Sequence, residues 1–169
     1  MIDTAIPWSA LRITTCDTDE TLAAAGGLFN QYRHHYGQPP DADERTFGWL
    51  GDMVRSNMLT VYTASIDSPA AAPPIGLATV HSVPASLVMG HSWQLRDLYV
   101  RPEFRRHGAA VALVGAVREA ALGAGAIQLS LVTEPDNLAA LSLYRKLGFR
   151  PVEGLATLSL DLASQDGAE

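Results

Sequence analysis

Residues Leu98 to Ala110 read Leu-Tyr-Val-Arg-Pro-Glu-Phe-Arg-Arg-His-Gly-Ala-Ala, an apolar strand that passes through a short basic loop directly into a helix. The first turn of a helix carries unpaired backbone N–H groups and the positive end of the helix dipole. Gly108, Ala109 and Ala110 are small at that point, so the backbone can come close to a ligand. Arg105 and Arg106, with Arg101 nearby, add positive charge. Together these features suit an anion, in particular a pyrophosphate. They also suit a solvated basic loop before an ordinary helix, since short glycine motifs have many chance matches. The loop lacks the Gly-Lys-Ser/Thr ending of a Walker loop and the GxGxxG pattern of dinucleotide-binding folds.

A second group follows one strand–helix–strand unit downstream, in Asn137-Leu-Ala-Ala-Leu-Ser-Leu-Tyr144 and the closing Gly148-Phe149. On a helix, Asn137 and Tyr144 share one face two turns apart. Asn137 can cap the helix or bond a ligand amide. Tyr144 can give a phenolic proton to a leaving group, or it can be a core tyrosine with a satisfied hydroxyl.

The elements that must hold these residues follow from pattern. Leu11 to Thr15 reads as a first strand, and Asp19-Glu20 opens a helix to about His34 that Gly26-Gly27 can bend or split. Asp41 to Ser56 reads as a second helix, with Phe47, Leu50 and Val54 at helical spacing. Strands are expected at Leu59 to Ile66, Ile75 to Val83 and Trp93 to Val100, the first two joined by a Pro/Ala-rich loop from Asp67 to Pro74. Ala109 to Leu122 is amphipathic through Ala110, Leu113, Val114, Val117 and Ala121, and Gly123 and Gly125 end it. Ile127 to Thr133 reads as a buried strand, Asn137 to Leu147 as a helix, and Phe149 to Val152 and Ala156 to Leu162 as closing strands. Residues 1–162 form one mixed α/β domain in this reading, and 163–169 a frayed tail.

The whole chain has 169 residues, 47% of them apolar and 18% charged, the balance of a globular domain. A net charge of −6 argues against a nucleic-acid binder and mildly favours a cationic partner such as an amine. No apolar run reaches the roughly 18 residues that a bilayer span needs, so no membrane association is expected. Met1 to Leu11 lacks the n- and h-regions of a signal peptide, and a cytoplasmic location is the default expectation. Cys16 is the only cysteine, which leaves no internal disulfide and no cysteine-based metal site.

At Arg105-x-x-Gly108-x-Ala110 the sequence resembles the GNAT superfamily of acyl-CoA N-acetyltransferases, whose signature is glutamine/arginine-x-x-Gly-x-Gly/Ala. The preceding Asp97-Leu98-Tyr99-Val100-x-Pro102 and the later Asn137, Leu143-Tyr144 and Gly148-Phe149 fit the same pattern. Tyr32-Arg33-His34-His35-Tyr36 also resembles an aromatic-arginine pattern of one subgroup. The resemblance implies a central, mostly antiparallel twisted sheet of six to seven strands flanked by about four helices. It implies acetyl-CoA as cosubstrate and no metal, with the backbone of Leu98 and Val100 (flanking Tyr99) on the pantetheine arm. The backbone N–H groups of Arg105, Arg106, His107, Gly108, Ala109, Ala110 and Val111 would hold the pyrophosphate, Asn137 would bind the arm, and Tyr144 would protonate the departing thiolate. A neutral amine attacks the thioester directly in this family, so Cys16 has no part.

The same resemblance leaves the base open. Relatives place a glutamate where this chain has Gln94, Arg96 or Val132. Asp97 is the nearest carboxylate, either as base or as a structural acceptor, and alternation turns it opposite Arg96 and Leu98. Glu134, His34, His35, His81, His91 or a water chain are the other routes. By analogy the acceptor enters between the N-terminal helices and the loop from Val83 to His91. Asp41, Asp43, Glu44, Asp52, Trp49, Trp93 and Tyr36 are candidates to line that entry or, as readily, ordinary surface and core residues. The leading expectation is transfer to a small-molecule amine, with a protein N-terminus or lysine as a second acceptor class and a non-catalytic acyl-CoA sensor as a third reading. A homodimer is compatible with the resemblance.

Overall fold

The computed structural model describes residues 11–39, 41–67 and 72–162. Along the chain come β1 (Leu11–Thr15), α1 (Asp19–His35), α2 (Asp43–Arg55), β2 (Thr60–Ile66), β3 (Gly76–Ala85), β4 (Gly90–Val100), α3 (Ala109–Gly123), β5 (Leu129–Leu131) and α4 (Leu138–Lys146). The sheet keeps the chain order β1-β2-β3-β4-β5. Its first three pairings are antiparallel and β4–β5 is parallel. That one parallel pair needs a crossover, which α3 supplies.

Strand alternation divides the core between the two faces of the sheet. Tyr62, Ala78, Val80, Leu95 and Val100 turn toward Leu113, Val114 and Val117 of α3. Val61, Leu77 and Tyr99, each next in sequence to one of those residues, turn toward Leu22, Leu28 and Phe29 of α1 and Leu50 of α2. Gly76 allows α3 to lie close, because a Cβ there would meet Leu113 Cδ1 at 3.1 Å and Tyr99 O at 3.2 Å. The start of α3 is thereby held against the end of β4.

Helix α1 is capped by Thr18 rather than by an acidic residue. Its hydroxyl accepts from Thr21 N at 3.3 Å, and Thr21 Oγ1 accepts from Thr18 N at 3.1 Å. Asp19 and Glu20 fall inside the first turn, where their charge still complements the dipole. Gly26 and Gly27 leave the helix unbroken. A Cβ at Gly27 would meet nothing within 4 Å. Gly27→Ala is therefore expected to stabilise the fold by roughly 0.5–1 kcal/mol, read as a higher urea midpoint at unchanged slope.

The C-terminal strands differ from expectation. Among the described residues the sheet has five strands rather than six to seven. Phe149–Val152 contains Pro151, which has no N–H to donate, and Gly154 follows at φ 78, which turns the chain. Residues 156–162 alternate apolar and polar, but β5 is only three residues long and offers little edge to pair with. Leu158 and Leu160 stay exposed. The expected 163–169 tail and part of the Pro/Ala loop before β3 lie outside the described residues.

Candidate active site

The site begins where β4 and β5 part. Trp93, Gln94 and Leu95 pair with Leu129, Ser130 and Leu131, and β5 then ends while β4 continues to Val100 beside β3 alone. A bulge marks the parting. Thr79 pairs with Asp97 and Val80 with Leu95, which leaves Arg96 without a partner. A bulge bends a strand and increases its local twist.

Backbone direction follows from one bond. Arg101 N donates to Ile75 O at 2.9 Å, so Arg101 and, two residues back, Tyr99 turn their peptide groups to β3. Leu98 and Val100 therefore turn theirs to the side from which β5 has gone. Arg105 Nε donates to Val100 O at 2.9 Å, and its guanidinium lies 5.8 Å from the Tyr99 ring centroid. The basic loop is thus folded back on the end of β4. Arg101 is drawn elsewhere, with Nε bonded to Gln31 Oε1 at 3.1 Å and 3.6 Å from Glu103 Oε1.

Gly108 takes φ 82 and ψ −1 as the residue before α3, and Arg106 is also left-handed at φ 63. Left-handed turns interleaved with ordinary ones point successive N–H groups inward, a concavity that suits anions. No side chain caps α3, so its first amides, from Ala109 to Val111, are not spent on one. An acyl-CoA fits what these residues offer: an unpartnered strand edge for an amide-bearing arm and a capless helix start for a pyrophosphate.

Asn137 caps α4, with Oδ1 accepting from Ala140 N at 3.2 Å. Its Nδ2 group is not used in the cap. Tyr144 packs edge-on against Phe149, with centroids 5.7 Å apart. Burial, then the neighbouring Tyr36 and Glu134, push the Tyr144 phenol up from its ordinary range. The phenol therefore stays protonated to higher pH than an exposed tyrosine.

Asp97 faces α1. Its Oδ1 accepts from the Tyr32 hydroxyl at 2.8 Å, and its Oδ2 accepts from Thr79. Burial is the main cause that pushes the Tyr32 phenol far up, followed by Asp97 as acceptor and as charge, then Tyr36 and Glu134. Tyr36 and Glu134 are thus common neighbours of Tyr32 and Tyr144. Burial, then the charge of Arg96, lowers His81, which keeps that imidazole neutral. The sequence alone does not mark Tyr32 or Thr79 as a partner of Asp97. The Tyr32–Tyr36 pattern is the one signal near Tyr32, and nothing local marks Thr79.

Other candidates fall away from the parting. Asp41 is held by Arg33 at 3.4 Å and Arg45 at 3.3 Å, Asp43 by Asn30 at 2.7 Å, and Asp52 by Arg55 at 2.9 Å. Trp49 stacks on Phe29, and Trp93 packs on the α3 side of the core. Cys16 is buried behind the α1 face. A groove of about 890 Å³ runs along the outer edge of β5 between α3 and α4. It touches the site at Gln94 and Tyr144 but contains none of the residues from Leu98 to Val111. Its size reflects the uncovered β5 edge. No helix among the described residues is long and apolar enough to cross a membrane.

A mixed sheet parted after β4, followed by a helix that starts without a side-chain cap, defines a class of α/β fold. The chain belongs to that class by sequence as well: residues 22–149 match the acetyltransferase (GNAT) family, of which it is a member. It is 29% identical over 143 residues to YhfO of Bacillus subtilis (strain 168), called an uncharacterized N-acetyltransferase, covering 85% of this chain and 93% of that one. A 59-residue stretch is 39% identical to the thialysine N-epsilon-acetyltransferase of Bos taurus, but spans only 35% of either chain. A crystal structure of a probable acetyltransferase superposes with a TM-score of 0.80 at 26% identity, over 89% of this chain and 97% of that one.

Proposed function

We propose that the protein transfers the acetyl group of acetyl-CoA to a primary amine of a small molecule, with Tyr144 as general acid. The parting of β4 from β5 carries this reading, because it leaves the Leu98 peptide groups and the Val100 N–H without a neighbouring strand, while Val100 O is taken by Arg105 Nε. Those free groups would bond the pantetheine arm. Arg105 N donates to Pro102 O at 3.2 Å, so the amides from Arg106 to Val111 would hold the pyrophosphate, with the Arg105 and Arg106 charges beside them, and Asn137 Nδ2 would bond the arm. Bound acetyl-CoA supplies the activated acetyl thioester.

The chain's own part is orientation and charge placement. Tyr144, kept protonated by burial, gives its proton to the departing sulfur. Glu134 and Asp97 keep the opposite side of the opening negative, which favours an approaching ammonium. No covalent enzyme intermediate is needed, consistent with Cys16 buried away from the opening.

The test is thiol release from acetyl-CoA across a panel of amines that includes lysine, thialysine, polyamines, aminoglycosides and short peptides. Turnover with a small amine and none with peptides is the expected result. Turnover with peptides alone would move the acceptor to proteins. Tight acetyl-CoA binding without turnover on any member would make the protein a sensor.

A further inference from the structure

The proposed transfer needs an ammonium to lose a proton before its nitrogen can attack, and β4 has no glutamate to take it: Gln94 and Arg96 stand in that stretch. The nearest carboxylate, Asp97, has both oxygens engaged, one by Tyr32 and one by Thr79. Thr79 is fully buried, and it fixes the carboxylate so that Oδ1 faces the Tyr32 hydroxyl at 2.8 Å. The bulge at Arg96 aligns this pair, since it brings Asp97 opposite Thr79 just where β4 leaves β5.

Tyr32 is held in turn by rings. Its centroid lies 5.5 Å from Phe29, 5.1 Å from Tyr36 and 5.9 Å from Tyr99. Its O–H is directed to Asp97, so the oxygen's lone pairs remain to accept a hydrogen bond. The charged and titratable groups around the pair are Asp97 on β4, Tyr36 and His35 on α1, Tyr99 on β4, and Glu134 after β5.

We propose that Tyr32 is the group that takes the proton of the arriving ammonium, with Asp97 receiving the Tyr32 proton and Thr79 positioning Asp97. The inference rests on the acetyltransferase reading above. As the N–H proton moves to Tyr32 Oη, the Tyr32 O–H proton moves to Asp97 Oδ1. The nitrogen keeps its electron pair, Tyr32 stays neutral, and Asp97 becomes the neutral acid. The second proton lost by nitrogen as the amide forms replaces the one that Tyr144 gives to sulfur. Asp97 then returns its proton through Tyr32 to solvent, so one proton is released per amide made.

The relay acts only on an amine that arrives protonated, and this separates it from a structural role. Two probes of matched size, ethylamine and the weakly basic 2,2,2-trifluoroethylamine, are compared near neutral pH, where only the first is an ammonium. In Tyr32→Phe and Asp97→Asn, kcat/KM with ethylamine is expected to fall by about 10²-fold, and with trifluoroethylamine by at least roughly tenfold less. The loss with ethylamine should shrink as pH rises. Acetyl-CoA affinity by calorimetry should be unchanged in both variants. In the free protein, Asp97→Asn should lower the Tyr32 phenol titration followed by NMR of ring-labelled tyrosine.

Equal losses with both amines, or no loss with ethylamine, would overturn the relay while leaving the transferase intact. An unmoved Tyr32 titration would do the same. A wild-type protein that acetylates neither probe nor any panel amine would remove the transferase reading, and the relay with it.

Discussion

Replacing Gly108 with valine is expected to weaken acetyl-CoA binding by roughly 10²-fold, about 2.8 kcal/mol, while the protein stays folded. Two effects combine at this residue. Its φ of 82 lies where a β-branched residue is strained, so the turn into α3 must shift. The added side chain also stands where the backbone would approach a pyrophosphate. The strain alone costs about 1–2 kcal/mol of stability, which is small enough to measure affinity below the melting transition. Gly123→Ala at the other end of the same helix is the control. A Cβ there meets nothing within 4 Å, and affinity should not change.

Tyr144→Phe should leave acetyl-CoA affinity within twofold, roughly, and lower kcat by about 10²–10³-fold, the range for loss of a general acid. Burial, Tyr36 and Glu134 raise the Tyr144 phenol. A raised value means that the acid form persists to higher pH. The wild-type kcat should therefore stay flat through neutral and mildly alkaline pH and decline only above the ordinary phenol range. Glu134→Gln removes one of the charges that hold the proton on, so its alkaline limb should move to lower pH. A Tyr144→Phe variant with undiminished kcat would assign the proton to another donor.

Much of the architecture is legible in the chain because it is written locally. The 3.6-residue spacing of Leu113, Val114, Val117 and Ala121 and the strand-like runs at β2, β3 and β4 each survive as the element they indicate. Gly108 also suits the left-handed turn found before α3, which glycine takes without a Cβ penalty. Apart from the choice of helix cap, what escapes is non-local. Thr18 and Asp19 are both cap formers, and the reciprocal bond with Thr21 decides between them. Nothing around Arg96 marks a bulge, which arises from the register of β3 against β4. Tyr32 and Asp97 are 65 residues apart and meet only after α1 packs across the sheet. Residues 156–162 show the converse, an alternating pattern that finds no partner edge beside the short β5.

Everything in this mechanism depends on acetyl-CoA lying in the opening between β4 and β5. Calorimetric titration of the purified protein with acetyl-CoA tests it most directly, with Gly108→Val titrated beside it. One site in the micromolar range, about −8 kcal/mol, is expected, with weaker binding to the variant. No heat of binding to the wild-type protein, or equal affinity in the variant, would contradict it.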